Sequence, residues 1–231
     1  MNSPIKPASR GKKIILLIIL LVCVPGAIFL GIGSRNHYSS LPFIGEREVN
    51  GPGDTTYFTV PPFAFIDEDG QPFTDKDAAG KILVVDFFFT RCTSICPRMS
   101  AQMQQLQLRL DEPRYDDVLF LSHTVDPDHD TPEVLKEYAA RLQADPKRWK
   151  FLTGHAADIY RQGNLGYLLS ASADSSAAEL FVHSPQFVLV DKQRHIRGMY
   201  DGTNTEAMRD LVTDLKALQA EEERLAKDKA R

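Results

Sequence analysis

Two short and almost unbroken hydrophobic runs mark the middle of the chain, ILVVDFFF at residues 82–89 and VLFLS at residues 118–122. Runs of this length that are rich in β-branched and aromatic residues are typical of strands buried on both faces. A segment with helical periodicity follows each run. From Met99 to Leu110 the apolar residues recur three or four positions apart, and a second helix is predicted to begin at Thr131, which precedes a proline and an acidic residue.

The rest of the pattern predicts two hairpins and a last helix. Residues 186–191 (QFVLVD) and 195–200 (HIRGMY) are predicted to pair as antiparallel strands across three polar residues. Apolar residues at helical spacing follow from about Thr205, and an earlier hairpin is predicted within residues 57–73. Two strand–helix units imply parallel pairing, whereas the late hairpin implies antiparallel pairing. This order of elements predicts an α/β, thioredoxin-like fold with an N-terminal β-hairpin.

A long apolar segment near the start of the chain predicts a single transmembrane helix. Residues 14–33 contain no charged residue, and a helix of that length spans roughly 30 Å, the thickness of the hydrocarbon core. The basic residues within residues 1–13 place that end in the cytoplasm and the later residues outside. A cleaved signal peptide would have a shorter apolar region, whereas this one continues past Pro25. We therefore expect a single-pass protein of the bacterial inner membrane whose soluble domain faces the periplasm.

Composition and charge narrow the choice of partners. The chain is 43% hydrophobic and 25% charged, which is typical of globular proteins. Its net charge is −4. Because residues 1–13 are basic, the net charge of the remaining residues is more negative than this, which argues against nucleic acid as a partner. The predicted organisation is a cytoplasmic basic N-terminus at 1–13, a transmembrane anchor at 14–33, a linker at 34–56, a thioredoxin-like domain at 57–220 and a charged tail at 221–231.

Two of the three cysteines, Cys92 and Cys96, lie between a predicted buried strand and the start of a predicted helix. Functional sites form at this edge of open α/β sheets, and the N–H groups at a helix start stabilise a thiolate. The spacing of four residues puts both sulfur atoms on one side of a helical turn, where they can close a disulfide or hold one soft metal ion. A static disulfide and two packed thiols are the structural alternatives. The third cysteine, Cys23, lies in the apolar segment and is expected to be an inert thiol.

A selective transition-metal site needs a ligand besides two thiolates, and the chain has six histidines. His183 precedes a predicted strand, in a loop that faces the cysteine turn in thioredoxin-like folds. Two thiolates and one imidazole suit copper in either oxidation state, or zinc with a fourth ligand. Asp126 follows the second buried strand at the same sheet edge. There it can accept a hydrogen bond from a residue that binds the metal, or act as a weak outer ligand. His123 is a candidate for an extra ligand, but a structural role at the strand end is expected for it. Roles in turns and caps are expected for Asp128 and Asp130.

Three segments together resemble the Sco family, also called SenC, of membrane-anchored copper chaperones for cytochrome c oxidase assembly. They are VDFFFTRCTSICPRM, TVDPDHDTPEVLKEYA and HSPQFVLVD with its following hairpin, and the resemblance covers roughly residues 60–205. It implies that Cys92, Cys96 and His183 are the copper ligands. It also implies that Asp126 lies near the metal, that the fold is thioredoxin-like, and that the dinuclear copper site of cytochrome c oxidase receives the copper. Another cuproprotein is the alternative recipient.

The chain departs from the family at one position and leaves other functions open. The family commonly has proline directly after the first cysteine, where this sequence has Thr93, a difference that bears on the rigidity of the turn and on the redox potential of the pair. A thiol–disulfide oxidoreductase that reduces the cysteines of a partner cuproprotein is the alternative, since it needs no histidine. A copper sensor would carry the same residues. A peroxidase of the peroxiredoxin kind is disfavoured, because its pattern requires proline and threonine in place of Val85 and Phe89.

Overall fold

The computed structural model describes residues 21, 24, 40–51, 53–169, 171–173 and 181–229, with the backbone alone for residues 171–173, 181–183 and 229. The chain divides into two units, residues 1–40 and residues 41–231, and the second carries the elements described below. Residues 1–13 and nearly all of the predicted transmembrane segment 14–33 lie outside the described residues. Among the helices that are described, none is long and apolar enough to cross a membrane.

The described elements contain the predicted order of strand, helix, strand and helix, followed by a hairpin and a helix. The strands are β1 (Arg47–Gly51), β2 (Asp54–Tyr57), β3 (Ala64–Ile66), β4 (Pro72–Thr74), β5 (Ile82–Phe88), β6 (Val118–Thr124), β7 (Trp149–Leu152), β8 (Ala171–Ala173), β9 (Phe181–His183), β10 (Gln186–Val190) and β11 (Ile196–Asp201). The helices are α1 (Cys96–Arg109), α2 (Pro132–Arg141), α3 (Ala156–Arg161) and α4 (Thr205–Lys229). A 3₁₀ turn at Pro113–Tyr115 and a π-helical turn at Gln162–Gly166 complete this set.

A five-stranded sheet in the order β11-β10-β5-β6-β7 forms the centre of the domain. Strands β5, β6 and β7 are parallel, whereas β10 runs antiparallel to both β5 and β11. Every residue of β5 and of β6 is buried, as their hydrophobic runs predict. The loop after β5, residues 89–95, contains Cys92 and is called the cysteine loop below. A second loop, residues 125–131, follows β6, so the two loops share one edge of the sheet. The topology is the predicted thioredoxin-like α/β arrangement.

Two hairpins precede the sheet. Strands β3 and β4 pair as the predicted N-terminal hairpin, and Lys150 of β7 holds its turn by hydrogen bonds to Asp67 and Glu68. Strands β1 and β2 form another hairpin, and β1 lies within residues 34–56, which the sequence pattern assigns to a linker. The pattern does not reveal β1 because four of its five residues are exposed and lack the hydrophobic alternation that marks a half-buried strand.

Helix α4 is longer than the sequence pattern indicates. The charged run from Glu221, predicted as a tail, continues the helix to Lys229. Its apolar face is buried and consists of Met208, Leu211, Leu215 and Leu218. Arg197 of β11 donates two hydrogen bonds of 3.0 Å to the carboxylate of Glu221. This ion pair and the high helix propensity of Glu, Ala, Arg and Lys explain why the charged run is helical.

Candidate metal centre

Cys92 and Cys96 lie together where β5 ends and α1 begins. The backbone N–H of Cys96 donates a hydrogen bond of 3.3 Å to the Sγ atom of Cys92. The N-cap residue Ile95 makes no side-chain capping bond, so the sulfur of Cys92 takes the place of a capping oxygen. Both side chains are buried, and no disulfide joins them. The site is therefore a pair of adjacent reduced thiols at a helix start.

The two thiols differ in their surroundings. The hydrogen bond between the Cys96 thiol and Cys92, together with burial, raises the pKa of the Cys96 thiol well above its ordinary value. The carboxylate of Asp86 contributes to this shift, because one negative charge disfavours another nearby. Asp86 accepts a 2.6 Å hydrogen bond from Ser122, whose hydroxyl accepts one of 2.9 Å from Trp149 Nε1. Burial and the neighbouring groups therefore favour the protonated form of the Cys96 thiol.

Asp126 lies in the loop after β6 and is almost completely buried. Its Oδ2 atom accepts hydrogen bonds from two nitrogen atoms of Arg91, with Nε at 3.1 Å and Nη2 also in contact. Arg91 directly precedes Cys92, so this ion pair joins the cysteine loop to the loop after β6. The structure thus brings Asp126 to the cysteine loop, as expected, but through an arginine that sequence reasoning did not single out. A role for Asp126 toward a metal stays a prediction.

Asp130 is a buried polar centre at this edge of the sheet. Its carboxylate accepts hydrogen bonds from the backbone N–H of Thr90 at 3.0 Å, from the Thr90 hydroxyl at 2.5 Å and from the Thr124 hydroxyl at 2.5 Å. The Nδ1 atom of His129 lies 2.9 Å from Oδ1 of the same carboxylate. The expected cap role is wrong for Asp130, because Thr131 is the residue that caps α2. Sequence spacing gave no signal for the role of Asp130, since Thr90 is 40 residues away.

His123 has a structural role, as expected, but in the core of the domain. Its imidazole is stacked on Phe87, with ring centroids 5.0 Å apart, and lies edge-on to Phe65 at 5.2 Å. Neither ring nitrogen has a hydrogen-bond partner within the described part of the chain. Burial lowers the pKa of His123 to about 3, so the imidazole is uncharged near neutral pH. His123 is therefore a neutral side chain enclosed by aromatic rings.

His183, the predicted third ligand, is the last residue of β9. Its backbone pairs with Ala171 of β8, and Ser184 and Pro185 then connect β9 to β10, the strand beside β5. The side chain of His183 lies outside the part of the chain that the structure describes. Its approach to Cys92 and Cys96 therefore stays a prediction.

Comparison with known proteins gives one consistent family. The SCO1/SenC family model matches residues 52–219, a range that contains all four predicted site residues. The SCO1 protein homolog of Bacillus subtilis (strain 168) is 30% identical over 164 residues, which are 71% of this chain and 84% of the relative.

Solved structures of the same family have the same fold. The structure of BsSco, described as a member of the Sco family of cytochrome c oxidase assembly proteins, has a TM-score of 0.63 and 29% identity and covers 71% of this chain and 94% of that chain. The copper-bound structure of ScoI from Bradyrhizobium japonicum has a TM-score of 0.55 and 26% identity and covers 67% of this chain and 98% of that chain.

Proposed function

Because the chain belongs to the SCO1/SenC family, we propose that it is a membrane-anchored copper chaperone with an extracytoplasmic domain. One copper ion is the cargo, and Cys92, Cys96 and His183 are its ligands. The dinuclear copper site of cytochrome c oxidase, or the copper site of another cuproprotein, receives it. The observation that carries this proposal is the pair of buried, unlinked thiols at the start of α1, joined by the 3.3 Å hydrogen bond from the Cys96 N–H to Cys92 Sγ.

The donor set fits copper. Thiolates are soft ligands that favour Cu(I), and an imidazole suits both oxidation states of copper. Three protein ligands leave one coordination position for a ligand of the recipient, which favours transfer over permanent storage. The N–H groups at the start of α1 stabilise negative charge on the Cys92 sulfur, and Cys96 releases its proton to solvent when the metal binds.

The anchor and the topology are part of the same proposal. Residues 14–33 span the bacterial inner membrane, residues 1–13 stay in the cytoplasm, and residues 34–231 are extracytoplasmic. The uncharged length of residues 14–33 and the basic residues before them support this orientation. It puts the cysteine pair in the compartment where copper sites of membrane-bound oxidases are assembled.

Copper titration of the full-length chain tests the proposal. The reduced protein in detergent micelles is titrated with Cu(I) without oxygen and with Cu(II) in a separate sample, and thiolate-to-copper charge transfer is followed by absorption. We expect one equivalent to bind, binding to be lost in Cys92→Ser, and the band to be lost or altered in His183→Ala. His155→Ala is the matched control, because His155 is an exposed histidine at the start of α3. An unchanged band in His183→Ala would exclude this ligand set.

A thiol–disulfide oxidoreductase is the second candidate, and the same pair of cysteines favours it. Cys92 lies in the loop before α1, where its sulfur accepts a hydrogen bond from the first N–H of the helix. Cys96 is more deeply buried and has a raised pKa, as expected of a resolving thiol beside an attacking one. This function predicts that His183→Ala retains full disulfide reductase activity. A disulfide that cycles readily, with no stoichiometric copper binding, would replace the chaperone proposal with this one.

A further inference from the structure

His129 is a second histidine at the edge of the sheet that carries the cysteines. It lies in the loop between β6 and α2, and its side chain is 40% exposed. Its Nδ1 atom is 2.9 Å from Oδ1 of Asp130, whose side chain is fully buried. An exposed imidazole is thus held by a carboxylate that is itself fixed within the fold.

The hydrogen bonds of Asp130 determine which nitrogen of His129 carries the hydrogen. The Asp130 carboxylate also accepts hydrogen bonds from Thr90 and Thr124, and an ionised carboxylate can only accept. Nδ1 of His129 therefore carries a hydrogen, and in the neutral form of the imidazole Nε2 has a lone pair. Among the described residues no hydrogen bond reaches Nε2. Histidines that bind a metal through one ring nitrogen usually donate the N–H of the other nitrogen to a carboxylate, and His129 has this arrangement.

His129 is also close to the cysteine loop. Its Nδ1 atom is 3.4 Å from the hydroxyl of Thr90, which is two residues before Cys92. Two residues span at most about 7 Å, so the backbones of Thr90 and Cys92 are no farther apart than this. The possible ligand atoms of Asp126, His129 and Asp130 lie within 4.8 Å of one another. Among the described residues one other group of this kind occurs, at residues 67–69, and neither group contains a cysteine. His129 thus contacts the cysteine loop at Thr90 and belongs to a group of possible ligands that is separate from the cysteine pair.

We propose that His129 is an outer copper ligand that binds the ion through Nε2 at the mouth of the site and passes it to Cys92 and Cys96. This inference rests on the proposed copper function. Each step exchanges one ligand for another while copper remains Cu(I), and the displaced thiol protons go to solvent. Asp130 holds the imidazole ready for the metal, and Thr90 links the same carboxylate to the cysteine loop.

The first test isolates the outer position. The full-length chain with Cys92→Ser, Cys96→Ser and His183→Ala lacks the proposed inner ligands and is loaded with one equivalent of Cu(II). We expect an electron paramagnetic resonance spectrum with hyperfine coupling to imidazole nitrogen. Adding His129→Gln should remove that coupling. Adding His155→Gln should leave it unchanged, because His155 is also exposed but lies at the start of α3, and its side chain makes no capping hydrogen bond that the substitution would remove. The same spectrum with and without His129 would overturn the proposal.

The second test uses the intact cysteine pair and does not depend on the folding of the triple variant. Transfer of Cu(I) from a bicinchoninate complex to the reduced full-length chain is followed by stopped-flow absorption. We expect His129→Gln to slow transfer about tenfold, the low end of the effect of losing a metal-site partner, with the equilibrium affinity unchanged. Equal rates in His129→Gln and wild type would overturn the proposal. Copper on His129 in the triple variant, with none bound by the cysteines of the wild type, would refute the chaperone function and the transfer step, although His129 would still be a copper ligand.

Discussion

Arg91 and Asp126 are 35 residues apart in the chain and form an ion pair beside Cys92, with Arg91 Nε 3.1 Å from Asp126 Oδ2. The carboxylate is almost fully buried, whereas the arginine side chain is 49% exposed. Asp126→Asn should therefore lower the free energy of unfolding by about 1–2 kcal/mol, since a charge-assisted hydrogen bond in a buried setting is lost. Thermal unfolding followed by circular dichroism measures this loss.

Glu112→Gln is the matched control for Asp126→Asn. Glu112 pairs with Arg114, but both side chains are more than half exposed, at 54% and 58%. An exposed pair of this kind contributes about 0–1 kcal/mol, so the control should unfold near the wild-type temperature. Equal losses in the free energy of unfolding of the two variants would show that the burial of Asp126 does not strengthen its ion pair.

Ser122 links two buried groups beneath the cysteine loop. Its hydroxyl donates to Asp86 at 2.6 Å and accepts from Trp149 Nε1 at 2.9 Å. Ser122→Ala removes both hydrogen bonds from groups that remain buried, and we expect a loss of about 2 kcal/mol in the free energy of unfolding. Urea unfolding measures it, with Thr59→Ala as a control at an exposed hydroxyl. A loss no larger than that of the control would contradict this assignment.

The sequence predicts the parts of the fold whose signal is local. The runs that form β5 and β6 are continuous and apolar, and the periodicity after Pro97 marks α1, so the position of the cysteines between strand and helix follows directly. The β10–β11 hairpin follows in the same way from two short runs across a polar turn. Local patterns of this kind need no knowledge of distant partners.

The features that the sequence does not predict depend on distant partners. The buried role of Asp130 exists because Thr90, 40 residues earlier, donates to it twice. Glu221, where the charged run of α4 begins, is paired with Arg197 of β11, 24 residues earlier. Asp130 and Arg197 are both polar, and from sequence alone a polar residue is most simply predicted to be exposed. Only the tertiary structure shows which of these side chains are buried and paired.

His123 predicts a specific dependence of stability on pH. Its pKa in the folded chain is about 3, below the ordinary value of 6.5, because burial disfavours the charged form. As the pH falls below about 6.5 the unfolded chain takes up a proton that the folded chain does not, so stability is lost between about pH 6.5 and pH 3. His123→Phe removes this contribution, and its unfolding temperature should fall less steeply than that of wild type from pH 7 to pH 4.

The same variant has an expected effect at neutral pH. Phenylalanine fits the aromatic surroundings of Phe65 and Phe87 and brings no unpaired ring nitrogen. At pH 7 the free energy of unfolding of His123→Phe should therefore be equal to that of wild type or higher by up to about 1 kcal/mol. His155→Gln, at an exposed position, should keep the wild-type pH dependence. If His123→Phe and wild type lose stability in parallel on acidification, another group is responsible.

Arg197 joins the start of the described domain to its last helix. Its side chain is buried and donates to Asp191 and Glu221, both at 3.0 Å, and to the carbonyl oxygen atoms of Leu41 and Pro42 at 2.7 and 3.1 Å. Removing one member of a buried ion pair leaves its partner charged and desolvated, which costs about 3–5 kcal/mol. Arg197→Met should therefore lower the unfolding temperature strongly.

Arg197→Met should also have a local effect that separates it from a general loss of stability. Without the contact to Glu221, residues 221–229 of α4 retain only their helix propensity, and their amide hydrogens should exchange faster than those around Leu215, which remain protected by the core. Arg194→Met is the control, because Arg194 pairs with Asp75 at the surface, with 38% of its side chain exposed. Unchanged exchange at residues 221–229 in Arg197→Met would mean that the charged run is helical without the ion pair.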